Sequence, residues 1–375
     1  MTLRSKSPIQ TLLVAGAALA LPLAVVPAAS TAKTAPSPSG ARAVVATGLD
    51  NPRQITYKKG VGFLVAEAGV GGGGPCMPGP EGGPVCYGNS GAITRIRGGN
   101  QTRIVKRLPS LASEGTGEGA IGPSDVIPYG KHRIAFTIGL GADPAVRADL
   151  PRKGRWMAGL FAAKLRGGEQ HGKLTWLADL GAFEAKANPH KTAPDSNPVS
   201  LVRKKKRFFV TDAGGNTWLR VRRNGNVKAL AVFQDRSFNG SDEFQAVPTS
   251  VAKGPDGAYY ISQLTGFPFV KDAAQIYRVR PGGTPKVYAS GLTNVTDLAW
   301  YRGALYAVQI SDEGLASGGP PIGSLRQVVS GGSTHPVVAG GLFAPYGVAF
   351  KNNKAFVTTC AVCPNDGEVQ SFPLN

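Results

Sequence analysis

The chain has 375 residues, including 51 Gly and 29 Pro, and its 42 Lys and Arg outnumber 23 Asp and Glu to give a formal charge of +19. So many helix breakers exclude a mainly helical protein and suit short strands joined by tight turns. The basic excess draws the chain toward anionic wall polymers or acidic polysaccharide, with no specific nucleic acid expected; a solvated basic surface without a specific partner is the plainer reading.

The N-terminus reads as an export signal. Arg4 and Lys6 precede the apolar run 11–26, and small residues follow toward a cleavage position near Ala32. The run contains Pro22 and is shorter than the roughly 20 residues of a membrane span. Residues 1–32 are therefore expected to be a signal peptide, 33–42 a disordered linker, and 43–375 a secreted or cell-envelope domain, monomeric and without a membrane span. Cleavage would leave a charge of 19 − 2 = +17.

Downstream, one pattern recurs six times, with Pro, or once Val, three residues ahead of an aliphatic residue that opens an apolar run. The copies are NPRQI (51–55), GPSDV (122–126), NPVSL (197–201), VPTSV (247–251), NVTDL (294–298) and APYGV (344–348). Each is followed by a second strand: GFLVAE, RIAFTI, RFFVTD, AYYISQ, ALYAVQ and KAFVTT. The third strands mostly end in Gly-Gly or Asn-Gly, which accept left-handed backbone at a hairpin.

A fourth strand follows in the first five units, but the sixth stops before making one. AVVATGL (43–49) matches the fourth strands KVYASGL and PVVAGGL yet precedes the first unit, so it is expected to complete the last sheet and close a ring. The fold class is all-β: a six-bladed β-propeller of four-stranded blades, whose radial repetition protects its sheet edges.

In such a ring, the start of each first strand and the turn between second and third strands share one face, called the upper face here. Asp195 and Asn197 of PDSNP and Asp212 and Asn216 of TDAGGN meet there from two loops of one blade. Their oxygens suit Ca2+, and Asp195, Asn197 and Asp212 are the candidate metal set. The same residue types also cap turns by bonding local backbone.

Gln263, Asp297 and Gln309 join the four as candidate ligand contacts on that face; no catalytic residue is identifiable. The lysine run 204–206 falls in a lower-face turn and reads as a solvated hairpin. His190 is the single upper-face histidine, thin support for a Ser/His/Asp hydrolase or a hydride-abstracting base.

Cys76 and Cys86 lie in the first unit, Cys360 and Cys363 in the sixth. An even count in an exported chain favours disulfides. Local pairing is the simplest connectivity, but units one and six are neighbours in a closed ring, so cross-pairing stays open. The terminal C-x-x-C also fits a redox or zinc motif, although the ten-residue separation of the first pair is poor zinc spacing.

Together DSNP with TDAGGNTWLRV, AVPTSVAKGPDGAYYISQLTGFPF, GPCMPGPEGGPVCYGNSGAITRI and CAVCPNDGEV resemble the ScyD/ScyE family of exported bacterial propellers over almost the whole mature chain. The resemblance implies a six-bladed ring similar to NHL-type and lactonase-type propellers, and no established activity. Gln263 and Gln309 depart from the Glu of the family's ELTGFPF and LEIS segments, which removes two charges from any carboxylate-based site.

Two functions are expected from these features. The first is a binding or scaffold module that holds a small molecule, glycan or wall polymer on its upper face, with Phe267 and Phe269 as an aromatic lip and no established cofactor. The alternative is a hydrolase or lactonase in which Asp195, Asn197 and Asp212 hold Ca2+ as cofactor and the ion polarises a carbonyl or water. A quinone-cofactor sugar dehydrogenase would need a well-placed histidine base, which the sequence does not offer.

Overall fold

A computed structural model describes residues 42–80 and 82–374; the expected signal peptide and nearly all of the expected linker lie outside the described residues. Six antiparallel sheets follow one another along the chain. Blade one comprises Pro52–Lys58, Gly62–Glu67, Pro84–Arg97 and Asn100–Ser113, and blade two Pro123–Pro128, Arg133–Ile138, Gly159–Arg166 and Thr175–Asp179. Blade three comprises Pro198–Lys204, Arg207–Asp212, Thr217–Val221 and Val227–Val232, and blade four Pro248–Lys253, Tyr259–Gln263, Ala274–Val279 and Lys286–Leu292. Blade five comprises Val295–Tyr301, Ala304–Gln309, Ile322–Val328 and Val337–Phe343.

Blade six comprises Val348–Lys351, Lys354–Thr359 and Gly367–Pro373, with Ala43–Leu49 as its outer strand. In that pairing Ala43 faces Ser371 and Leu49 faces Gly367. Each first strand touches the first strands of both neighbouring blades, and Val348–Lys351 returns to Pro52–Lys58. The fold is a six-bladed β-propeller.

Because neighbouring blades stack on both faces of each sheet, the inner strands lose the alternation of a half-exposed sheet. Arg207–Asp212 and Ala304–Gln309 are buried at every position after the first. Between blades three and four, Phe209 lies 5.7 Å from Trp218 and 4.6 Å from Tyr259, ring centre to ring centre. Trp218 and Tyr259 are fully buried there.

The repeated start motif owes its composition to two tasks. Its first residue takes a left-handed conformation at Asn51 (φ +48°) and Asn294 (φ +43°), which asparagine tolerates well. Its fourth residue clasps the next blade. Asp125 Oδ2 accepts from Leu201 N at 2.8 Å, Ser200 Oγ from Val251 N at 3.3 Å, Ser250 Oγ from Leu298 N at 3.0 Å, and Asp297 Oδ2 from Val348 N at 2.9 Å. A belt of side-chain to main-chain bonds thus ties blades two to six around the inner strands.

Blade two departs from the sequence pattern. Its expected fourth strand ends at Asp179, whose Oδ1 accepts from Ala182 N at 2.8 Å and starts helix α1, Leu180–Ala187. The eight residues LGAFEAKA are too short for an apolar helical period to stand out. The cysteines pair locally, Cys76 with Cys86 and Cys360 with Cys363, and cross-pairing is not adopted. No helix among the described residues is long and apolar enough to cross a membrane.

Candidate functional site

At the upper end of blade three, Asp212 closes the second strand and is buried. Its Oδ2 accepts from Ser196 Oγ at 2.7 Å, and its Oδ1 from Asn197 N at 2.6 Å and Gly215 N at 3.2 Å. Burial raises its pKa against the opposing pull of these donors. Asp212 is therefore committed to holding two loops together.

Asn197 joins this cluster through its main chain; its side-chain oxygen is turned toward Gly139 of blade two, where an added Cβ would approach it to 2.2 Å. Asn216 bridges to blade four, its Oδ1 accepting from Val247 N at 2.8 Å and its Nδ2 donating to Gln245 Oε1 at 3.2 Å. Asp195 differs from both. Its Oδ1 is buried without a hydrogen-bond partner among the described residues, and burial, with repulsion from Asp212, raises its pKa to about 6.

The structure adds a residue that the sequence reading did not single out. Glu184 of α1 is 2% exposed, and burial followed by repulsion from Asp212 and Asp195 raises its pKa to about 7. A Cβ at Gly215 would lie 2.8 Å from Glu184 Oε2, and one at Gly214 would lie 2.3 Å from Asp195 Oδ1. The Gly-Gly pair of TDAGGN lets both carboxylates press against the loop. Glu184, Asp195 and Asp212 are the residues here that could hold a hard cation, though more loosely than Cys76, Cys86 and Glu114, whose ligand atoms lie within 4.8 Å of one another. That second trio is closed to metal because its cysteines form a disulfide.

The remaining candidates sit in separate clasps. Gln309 Oε1 accepts from Thr293 N at 3.0 Å and its Nε2 donates to Asp312 Oδ1 at 2.6 Å, while Gln263 Oε1 accepts from Arg236 Nη2 at 3.3 Å. In blade one the equivalent Glu67 accepts from Asp50 N at 2.8 Å and pairs with Arg103 at 2.7 Å. Asp297 belongs to the inter-blade belt, and burial lifts its pKa to about 8. His190 is buried, with Nδ1 3.0 Å from Thr192 Oγ1 and Nε2 3.1 Å from Asp235 Oδ1. Phe267 is 75% exposed, and its ring centre lies 6.2 Å from that of Phe269.

The lower end of blades two to four is of opposite character. A cavity of about 180 Å³ is lined by Tyr129, Leu177, Arg203, Lys206, Phe208, Arg222 and Arg223. A neighbouring groove of about 450 Å³ is lined by Lys204, Lys205, Lys206, Arg207, Phe209, Tyr259 and Pro281. Two further cavities beside them carry Arg220, Arg222 and Lys228, and Arg133, Lys164 and Arg223.

No acidic residue lines any of these four cavities, and none of their basic residues forms an ion pair among the described residues. Arg203 stacks over Tyr129 at 4.9 Å, and the buried Tyr259 hydroxyl has no hydrogen-bond partner among the described residues. The lysine run is thus part of a larger basic surface, because turns far apart in sequence meet at one end of the ring.

No family model and no curated protein sequence matches the chain. Solved structures do resemble it in fold. A protein assigned as a glucose dehydrogenase from Thermus thermophilus aligns over 88% of this chain and 99% of its own at 14% identity, with a TM-score of 0.52. A second glucose dehydrogenase aligns over 90% and 100% at 11% identity and a TM-score of 0.51. A protein of unknown function from Bacteroides thetaiotaomicron aligns over 89% and 72% at 10% identity and a TM-score of 0.50. At these identities the likeness establishes the propeller fold and no activity.

Proposed function

We propose that the protein is an exported propeller of the ScyD/ScyE type that binds an anionic wall polymer through the lower end of blades two to four. The observation that carries this reading is that four adjoining cavities are lined by Arg and Lys and by no acid. Unpaired guanidinium and ammonium groups around aromatic walls match phosphate or carboxylate groups repeated along a chain. Export fits the two local disulfides, which persist in oxidising compartments. The upper-face expectation has less support, because Asp212, Asn216, Asp297 and Gln309 already spend their polar atoms inside the fold.

Calorimetric titration with poly(glycerol phosphate) tests the reading, with neutral dextran as the comparison. Binding is expected only to the polyanion and is expected to weaken sharply between about 0.1 M and about 1 M salt, as the screening length falls from roughly 10 to 3 Å. The triple change Lys204→Glu, Lys206→Glu and Arg222→Glu is expected to cost at least about tenfold in affinity, or about 1.4 kcal/mol. Equal binding of dextran, or full affinity in the triple variant, would refute the proposal.

A further inference from the structure

A separate feature at the opposite end of blade three carries an inference that does not depend on polyanion binding. The Glu184 side chain is 2% exposed and faces the Gly214–Gly215 turn, yet it accepts no hydrogen bond among the described residues. Asp195 Oδ1 is also buried without a partner among the described residues. No Lys, Arg or His among the described residues pairs with either carboxylate, in a chain of formal charge +19. A buried carboxylate and a neighbouring carboxylate with one buried, unpartnered oxygen, neither with a counter-charge, are costly to maintain as anions.

We propose that Glu184 and Asp195 bind a hard divalent cation, calcium in particular, with Asp212 behind them as a third negative charge. Carboxylate oxygens suit a hard cation, and the Asp195 main-chain carbonyl borders the same space, 3.4 Å from where a Gly215 Cβ would stand. The set contains no thiolate or imidazole, which argues against zinc. Its carboxylates come from a helix and two loops and do not converge as closely as the Cys76, Cys86 and Glu114 trio. Such a loose arrangement fits the variable geometry and added water ligands of calcium better than the near-ideal octahedron of magnesium. Asp212 keeps Ser196, Asn197 and Gly215 in place and so fixes the loop that carries Asp195.

The site joins three pieces of chain: α1, the segment before blade three, and the turn after its second strand. Occupancy would fasten α1 to the blade. This gives a readout independent of any ligand at the other end of the ring.

The test is thermal unfolding of the mature protein, stripped with a chelator and then titrated with calcium chloride, against the same titration of Glu184→Gln. The wild-type protein is expected to gain several degrees in Tm at saturating calcium, since a ligand that binds the folded state stabilises it by mass action. Glu184→Gln removes an uncompensated charge and keeps the side-chain shape. It is expected to be at least as stable as wild type in chelator and to show no calcium response. Lys205→Glu, at the far end of the blade, is expected to retain the full response. A wild-type Tm unmoved by calcium overturns the proposal, because the carboxylates then share protons instead of a metal. An equal calcium response in Glu184→Gln overturns it too, by placing the ion elsewhere.

Discussion

At the upper end of blade three, acidic groups are drawn into the protein, whereas at the lower end of the same strands the basic groups stay around open cavities. Side-chain length and donor supply account for the difference. Asp212 is short and meets the N–H groups of a turn, so the main chain satisfies it. Lys and Arg are long, carry only donors in large number, and reach the mouths of cavities they share with Tyr129, Phe208 and Phe209, where the Arg203 guanidinium lies over the Tyr129 ring.

The comparison also separates residues that look alike in sequence. Asp195 and Asp212 both stand in Asp, Asn and Gly-rich loops, but Asp212 has its partners and Asp195 Oδ1 has none. The partner count distinguishes a turn-former from a group available to a ligand.

Breaking each end should therefore have different consequences. Asp212→Ala would strand Ser196 Oγ and the Asn197 and Gly215 N–H groups, and it is expected to cost about 3 kcal/mol. Urea unfolding would register this as a lower midpoint at an unchanged slope, with polyanion affinity of the folded fraction unaltered. At the lower end, Lys204→Glu with Lys206→Glu should weaken polyanion binding while changing stability by no more than about 0.5 kcal/mol. A large stability loss there would erase the distinction between the two ends.

The pH dependence of stability sharpens the contrast, because Arg and Lys stay charged through neutral pH. Burial raises the carboxyl pKa of Asp125 to about 7 and of Asp297 to about 8, above their unfolded value. The folded state then holds more protons than the unfolded state, so stability from these groups is full below about pH 4 and is lost as pH rises toward 8. Tm measured at pH 8.5 is expected to be lower than at pH 5, by a margin that narrows in Asp297→Asn. The smallest effect is expected from Phe267→Ala, which alters a 75% exposed ring and should shift stability by less than about 0.5 kcal/mol. Loss of polyanion binding in that variant would move the ligand to the upper lip.

The fold was legible because its strand starts repeat and its second strands are continuous apolar runs. GFLVAE, RIAFTI, RFFVTD, ALYAVQ and KAFVTT coincide with strands over their full lengths. The Asp195 and Asp212 loops were legible as neighbours for the same reason. Glu184 was not, since α1 is eight residues long and its relation to Asp212 exists only after the intervening chain has turned back. The basic cavities were hidden more thoroughly. Tyr129, Leu177, Lys206 and Arg222 come from separate turns and strands of blades two and three, and no local pattern relates them.

The belt around the inner strands bears on how such a ring could have grown. Asp125, Ser200, Ser250 and Asp297 occupy one position of the repeat, and each meets the N–H of the next position in the following copy. A blade duplicated by recombination would arrive with both halves of the latch, an acceptor for its successor and a main-chain donor for its predecessor. At Gly347 the latch has no side chain, and a Cβ there would lie 2.7 Å from the α-carbon of Gln54. The junction between the last copy and the first instead runs through close backbone approach and the Thr358 hydroxyl, which accepts from Gly347 N at 2.8 Å and donates to Arg53 O at 2.8 Å, and a blade inserted at that point would have to supply a small residue where its relatives carry an acceptor.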